Sequence, residues 1–260
     1  MHFIDTHSHL YNKVFTEDID KVILRAKEAK VEKILLPNID IDSIEPMLEL
    51  AKRDSCFHTM LGLHPTSVNG NYKKQLDTIE SLLNTTNICA IGEIGIDLYW
   101  DRTYIEEQII AFERQIYWAL DLDLPLVIHV RKGFEETFQL LEKIENKIKG
   151  NGKSLRGVFH CYSGDLNQAK KVIDMGFKIG IGGVVTFKNA KLASIVREIG
   201  IEHILLETDA PYLAPTPYRG KRNEGGYIPI IAEKISEIKK ISIEEVASIT
   251  SNTAEELFSI

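Results

Sequence analysis

Short runs rich in Val, Ile and Leu alternate along the chain with longer stretches whose apolar residues recur every three or four positions. The short runs predict β-strands at Phe3–Asp5, Lys33–Leu36, His58–Leu63, Cys89–Glu93, Leu126–His129, Gly157–His160, Lys178–Ile181 and Ile204–Glu207. The periodic stretches, such as Glu17–Lys30, Ser43–Asp54, Glu106–Leu122, Glu135–Lys147, Asn167–Met175 and Ala190–Ile199, predict amphipathic helices. Two more helices are predicted after the last strand, at Ile228–Lys239 and Ile243–Phe258. The second opens Ser242-Ile243-Glu244-Glu245, a capping-box pattern. Eight strands alternating with helices predict an α/β fold, a closed (β/α)8 barrel of TIM type with two extra C-terminal helices. Apolar strands fit a parallel sheet covered on both faces. No linker or low-complexity tract divides residues 1–260, so one domain is expected. The loop Ala210–Gly226, with three prolines and three glycines, would hang over the active face of such a barrel.

Composition narrows the partners. Hydrophobic content of 44% and charged content of 27% are ordinary for a soluble globular chain. A net charge of −7 argues against a broad electrostatic grip on duplex DNA, which needs a basic face. It leaves open a nucleic acid recognised locally beside bound cations. Cys56, Cys89 and Cys161 are odd in number and far apart, which is no disulfide framework and fits a reducing compartment. No run reaches the roughly 18 apolar residues of a membrane span, and no charged-then-apolar leader precedes the first strand. A cytoplasmic protein without a membrane partner is expected, with a monomer favoured.

The chemistry gathers at the strand ends. His7 and His9 leave the first strand one residue apart, and alternation along a strand sends such residues to one side. Glu93 follows an apolar strand, His129 and His160 each end one, and Asp209 follows the eighth. The C-terminal strand ends are where barrel enzymes collect their catalytic residues. Four imidazoles and two carboxylates suit Zn2+, Mn2+ or a similar ion better than an all-oxygen Ca2+ cage. That many ligands suits two ions better than one.

Seven motifs then run in order: Asp5-Thr6-His7-Ser8-His9, Gly62-Leu63-His64-Pro65, Gly92-Glu93-Ile94-Gly95-Ile96-Asp97, Ile128-His129-Val130-Arg131, His160-Cys161-Tyr162-Ser163-Gly164, Glu207-Thr208-Asp209-Ala210-Pro211-Tyr212-Leu213 and Arg219-Gly220-Lys221-Arg222-Asn223-Glu224. From residue 5 to residue 224 the chain resembles the TatD family of metal-dependent deoxyribonucleases, within the wider amidohydrolase-like barrel superfamily. The resemblance implies two divalent ions (Mg2+, Mn2+ or Zn2+). It places His7, His9, Glu93 and Asp209 around one ion, and Glu93, His129 and His160 around the other. It implies hydrolysis of DNA, with RNA a further candidate, by a 3′–5′ exonuclease preferring single strands. Asp209 and Glu93 are then the catalytic carboxylates, Asp209 taking the proton of the attacking water.

Arg131, Lys221 and Arg222 are candidates for the phosphate, or else solvated surface charges; arginine offers a planar fork for phosphate. His64 is expected to meet substrate or a neighbouring carboxylate more than an ion. Tyr99 and Trp100 either stack on a base or pack their loop against the rim. Asp5 and Glu207 either orient ligand histidines or finish strand ends. Strand alternation points Cys161 away from the metal side. Two departures from the family stand out: Gly225-Gly226 where proline usually follows, which leaves that loop freer, and Lys132 where an acidic residue is common. A fold does not fix a substrate, so hydrolysis of an amide, lactone or ester on the same two-metal barrel is the alternative. Many relatives acting on C–N bonds bridge their ions with a modified lysine, where this chain offers Glu93. A non-catalytic binding module is a third reading, opposed by the intact ligand set.

Overall fold

Eight strands pair in parallel in the order in which the chain makes them. The computed structural model describes residues 1–99 and 101–260. The strands are β1 (Phe3–Asp5), β2 (Val31–Pro37), β3 (Phe57–Leu61), β4 (Ala90–Asp97), β5 (Leu126–Arg131), β6 (Gly157–Phe159), β7 (Lys178–Ile181) and β8 (Ile204–Leu206). Thr6 N donates to Leu206 O at 3.0 Å and Asp209 N to His7 O at 2.9 Å, which brings β8 back against β1. This is the predicted TIM-type barrel. Around it run α1 (Ile19–Glu28), α2 (Ile41–Ala51), α3 (Tyr72–Leu82), α4 (Ile105–Leu122), α5 (Phe134–Ile148), α6 (Leu166–Asp174) and α7 (Leu192–Glu198). The helices α8 (Ile228–Lys239) and α9 (Ile243–Phe258) match the predicted C-terminal pair. Helix α3 was not among the stretches predicted. Its buried stripe is only Tyr72, Leu76 and Ile79, about one residue per turn, between polar flanks.

Strand alternation divides the core in two. Ile4, Leu35, Met60, Ala90, Val127, Val158 and Leu205, from seven of the strands, meet one another inside the barrel. Ala254, Leu257 and Phe258 of α9 join this cluster and plug the floor. Their neighbours Phe3, Ile34, Leu36, Leu61, Ile91 and Ile128 pack in the outer cluster shared with the helices. Lys33 Nζ donates to Glu255 Oε1 at 2.6 Å and to the Ile260 carbonyl at 2.9 Å, which pins the plug. Among the described residues no helix is long and apolar enough to cross a membrane.

Strand β4 runs past its predicted end, and all eight of its residues are buried. Its register against β5 shifts between Ile91 and Ile94, a bulge-like irregularity that re-aims Glu93. The close approach of the two strands needs glycine. Gly95 has φ +137°, and a Cβ there would lie 2.1 Å from the His129 carbonyl oxygen. Gly95→Ala is therefore expected to destabilise the fold by about 2–6 kcal/mol, backbone strain and overpacking each costing roughly 1–3. Urea unfolding of the variant beside the parent checks this; an unchanged midpoint contradicts it.

Candidate metal centre

Each predicted ligand reaches the same end of the barrel. His7 and His9 leave β1 beside the isolated bridge from Ser8 to Ala210, which ties them to the β8 exit. Glu93 stands in β4, His129 in β5, His160 one residue beyond β6, and Asp209 three beyond β8. The Glu93 carboxylate, 3% exposed, sits at their centre. Its two oxygens face different groups. Oε2 lies 3.2 Å from His7 Nε2 and 3.6 Å from His9 Nε2. Oε1 lies 2.7 Å from His160 Nε2, 3.0 Å from His129 Nδ1 and 3.0 Å from His64 Nε2. Asp209 Oδ1 completes the first side, 3.5 Å from His9 Nε2.

Hydrogen bonds from behind decide which ring nitrogen faces the centre. The Tyr11 hydroxyl gives its one proton to the Pro37 carbonyl at 2.7 Å, so it accepts from His9 Nδ1–H at 2.9 Å. His9 Nε2 is thereby left as a lone pair toward Glu93 and Asp209. Asp97 Oδ2 accepts from His129 Nε2–H at 2.9 Å, and its other oxygen accepts from Tyr99 N at 2.8 Å. With the ring neutral, His129 Nδ1 then faces Glu93 Oε1 acceptor to acceptor, and only a proton or metal ion between them satisfies both. His64 has the opposite polarity. Thr66 N donates to its Nδ1 at 3.1 Å, so its Nε2–H donates to Glu93. Tyr11, Thr66 and Asp97 escaped the sequence reading. Asp97 lay inside a quoted motif, and Tyr11 and Thr66 each sit two residues beyond a site histidine.

The residues fit a metal. His7 Nε2 and His9 Nε2 stand 3.3 Å apart, and His129 Nδ1 and His160 Nε2 3.4 Å apart. Two nitrogens at about 2.0–2.1 Å from one tetrahedral ion are separated by roughly 3.3–3.4 Å. Ligand-competent atoms also converge in the sets His7–His9–Asp209, His64–Glu93–His129 and His7–His160–Glu207. The Nδ1 atoms of His7 and His160 and Oε2 of Glu207 are buried without a hydrogen-bond partner among the described residues.

Electrostatics does not treat the rings alike. Burial, aided by His160, pushes His7 down to about 3 and keeps its imidazole neutral, the form that binds metal. Burial alone would lower His160, but the Glu93 charge outweighs it and pushes that ring up to about 9. Burial alone would raise Glu93, yet His160, His64 and His7 hold it well below the usual carboxylate range. Asp209 is likewise held down, burial being outweighed by the hydrogen bond with His9 and the charge of His160.

The surrounding loops are strained toward this end. Lys132, Cys161, Asp209 and Leu213 adopt φ of 59°, 44°, 58° and 54°, after β5, β6 and β8. Left-handed non-glycine residues collect at functional sites. The turn at Cys161 also breaks strand alternation, so this residue lines the cavity instead of pointing away. Asp5 orients no imidazole: it accepts from Thr208 N at 2.8 Å and Thr208 Oγ1 at 2.6 Å, clamping β8 to β1. Glu207 Oε1 accepts from Cys161 N at 2.5 Å.

The candidate phosphate contacts separate. Arg131 lines the cavity of about 810 Å3 above the ligands, its guanidinium 3.6 Å from the centre of the Tyr99 ring. Lys132 Nζ is 5.0 Å from the same ring. Trp100 lies outside the described residues. Arg222 is engaged elsewhere. It donates to both oxygens of Asp18, at 2.8 and 2.6 Å, and to the Val14 carbonyl at 2.7 Å. Lys221 sits 5.9 Å from the Tyr218 ring, and neither of these two cations lines the cavity. Arg25 donates to Glu224 through Nε and Nη2, both at 2.6 Å. Asn223 Nδ2 donates to the carbonyls of Thr208 and Tyr212, each at 2.7 Å. The freer loop expected from Gly225-Gly226 is therefore not seen. These bonds fasten it to α1 and to its own start, and Gly225 is buried beside Ile34 and Ala26.

A family model for TatD-related DNases matches residues 4–259. The chain belongs to the TatD family. It is 36% identical to the uncharacterized metal-dependent hydrolase YabD of Bacillus subtilis over 257 residues, covering 98% of both chains. To the uncharacterized metal-dependent hydrolase YcfH of Escherichia coli it is 31% identical, covering 100% of this chain and 97% of that one. The crystal structure of YjjV, the TatD homologue of Escherichia coli, superposes with a TM-score of 0.90 at 28% identity, covering 99% and 98%. The protein is thus a metal-dependent hydrolase of the TatD family.

For this TatD protein, Asp97→Ala is expected to weaken divalent-metal affinity about 10–100-fold, because it releases the ring that Asp97 orients. Calorimetric titration of metal-stripped protein with Mn2+ or Zn2+ measures it; unchanged affinity contradicts the orienting role.

Proposed function

We propose that the protein is a two-metal nuclease that hydrolyses DNA phosphodiester bonds, removing nucleotides from the 3′ end of single strands. The observation that carries this reading is the Glu93 carboxylate, whose oxygens face two separate sets of imidazoles. In the reading, His7, His9 and Asp209 hold one ion, His129 and His160 the other, and Glu93 is shared. Bound divalent ions (Mg2+, Mn2+ or Zn2+) would lower the pKa of water toward about 7 and screen charge developing on phosphorus.

The chain's own groups supply the rest. Asp209, ionised and beside His9, accepts the proton of the attacking water at a carboxylate oxygen. Tyr11 and Asp97 hold His9 and His129 in the tautomers that face inward. His64 Nε2–H steadies the Glu93 charge, and Arg131 meets a phosphate oxygen from the cavity wall. The fastened β8 loop keeps Asp209 against β1 through the Asp209 N to His7 O bond. Three unpaired cysteines support a reducing, cytoplasmic setting.

Metal-loaded protein is expected to shorten a 5′-labelled single-stranded oligonucleotide one residue at a time. Chelation should abolish the activity and added Mg2+, Mn2+ or Zn2+ restore it. Asp209→Asn should lower kcat by about 10²–10⁴-fold, the usual worth of a positioned proton acceptor. A metal-loaded protein inert toward every DNA and RNA would sink the reading.

A further inference from the structure

The cavity extends well past the ligands, and its two sides differ in kind. One wall carries His9, Glu93, His129, His160 and Asp209. The other presents Val184, Ala190, Leu192, Ile195 and Leu213, none of which offers a side-chain hydrogen bond, with the exposed Lys191 between Ala190 and Leu192. Leu192 and Ile195 come from α7, while Leu213 comes from the fastened β8 loop. The volume of about 810 Å3 falls in the range for a small ligand or one end of a chain.

The mouth is marked by apolar groups left in water. Tyr99, Tyr212 and Leu213 are 44%, 51% and 41% exposed, three of the seven large exposed hydrophobic side chains among the described residues. Tyr212 belongs to the cavity wall, its ring 6.4 Å from that of His9. Tyr99 backs Arg131 on the rim. Aromatic faces beside a phosphate-binding centre form a stacking platform, which every base can use because each has a π-face.

We propose that this apolar wing is the subsite for the terminal nucleobase of the strand, held by stacking and burial and not by hydrogen bonds to its edge. The proposal rests on the nuclease reading above. A nucleotide held by its phosphate at the ligand wall carries a flat, largely apolar ring on a short sugar tether, which is what the opposite wall accommodates. A base enters such a pocket only when unstacked and unpaired, and doing so is cheapest at a single-stranded end. The five apolar residues offer no hydrogen bond to a base edge, and Lys191 among them is exposed to solvent, so the wing does not discriminate between bases. Selectivity for single strands and indifference to sequence then have one cause.

The test is equilibrium binding by calorimetry to Mn2+-loaded protein, using inorganic phosphate and the four 2′-deoxynucleoside 5′-monophosphates. The nucleotides are expected to bind about tenfold tighter than phosphate and within about threefold of one another, as for one sequence-tolerant stacked base. Tyr212→Ala and Leu213→Asn should each shrink the ratio of nucleotide to phosphate affinity. Both sites are exposed, and asparagine tolerates the positive φ of Leu213. Nucleotides binding no tighter than phosphate, while single-stranded DNA is still degraded, overturns the subsite and leaves the nuclease reading standing. A long-chain lactone binding in preference to every nucleotide also overturns it. A protein that binds neither phosphate nor nucleotide and degrades no DNA removes the nuclease reading, and the subsite with it.

Discussion

A carboxylate with almost no access to water must find its polar partners within the protein, and Glu93 is met by five imidazoles. His7, His9, His64, His129 and His160 all bring a ring nitrogen within 3.6 Å of its oxygens. Leaving such a charge unpaired would cost several kcal/mol, so the strands that carry the rings are held in one relative placement. The shift of register in β4 aims Glu93 at that point. Gly95 lets β4 lie against the His129 backbone, and the Asp5 to Thr208 clamp fixes the β8 exit to β1. Each device is local, and each serves the same convergence.

The barrel separates this polar centre from its source of stability. The floor is seven apolar strand residues closed by Leu257 and Phe258 of α9, remote from the chemistry. The mouth holds the left-handed residues after β5, β6 and β8, together with the exposed aromatic rings. Strain at one end is tolerated because the other is closely packed. The ion pairs Arg222–Asp18 and Arg25–Glu224 belong to this arrangement, since they moor the long loop that carries Tyr212 and Leu213 to α1.

The positions of the eight strands were legible because each is a short apolar run, five of them ending in a polar residue. For the same reason His7, His9, Glu93, His129, His160 and Asp209 could be read as one set: topology alone brings C-terminal strand ends together. What could not be read depends on approach in space. Nothing in a chain says that Tyr11 turns its hydroxyl to Pro37, or that Asp97 receives the far nitrogen of His129. These bonds fix which face of each imidazole looks inward. Arg222 and Arg131 carry the same group, yet one is engaged by Asp18 while the other lines the cavity. Cys161 defeated the alternation rule because its strand ends at Phe159 and the chain then turns left-handed. The sparse stripe of α3 hid a helix in plain sequence.

The central claim is that one carboxylate serves two ion sites. Electron paramagnetic resonance of the protein loaded with Mn2+ tests it directly. A shared Glu93 predicts the spectrum of an exchange-coupled manganese pair, which Glu93→Gln converts to that of isolated ions. A fully loaded parent protein that shows only isolated Mn2+ contradicts the claim.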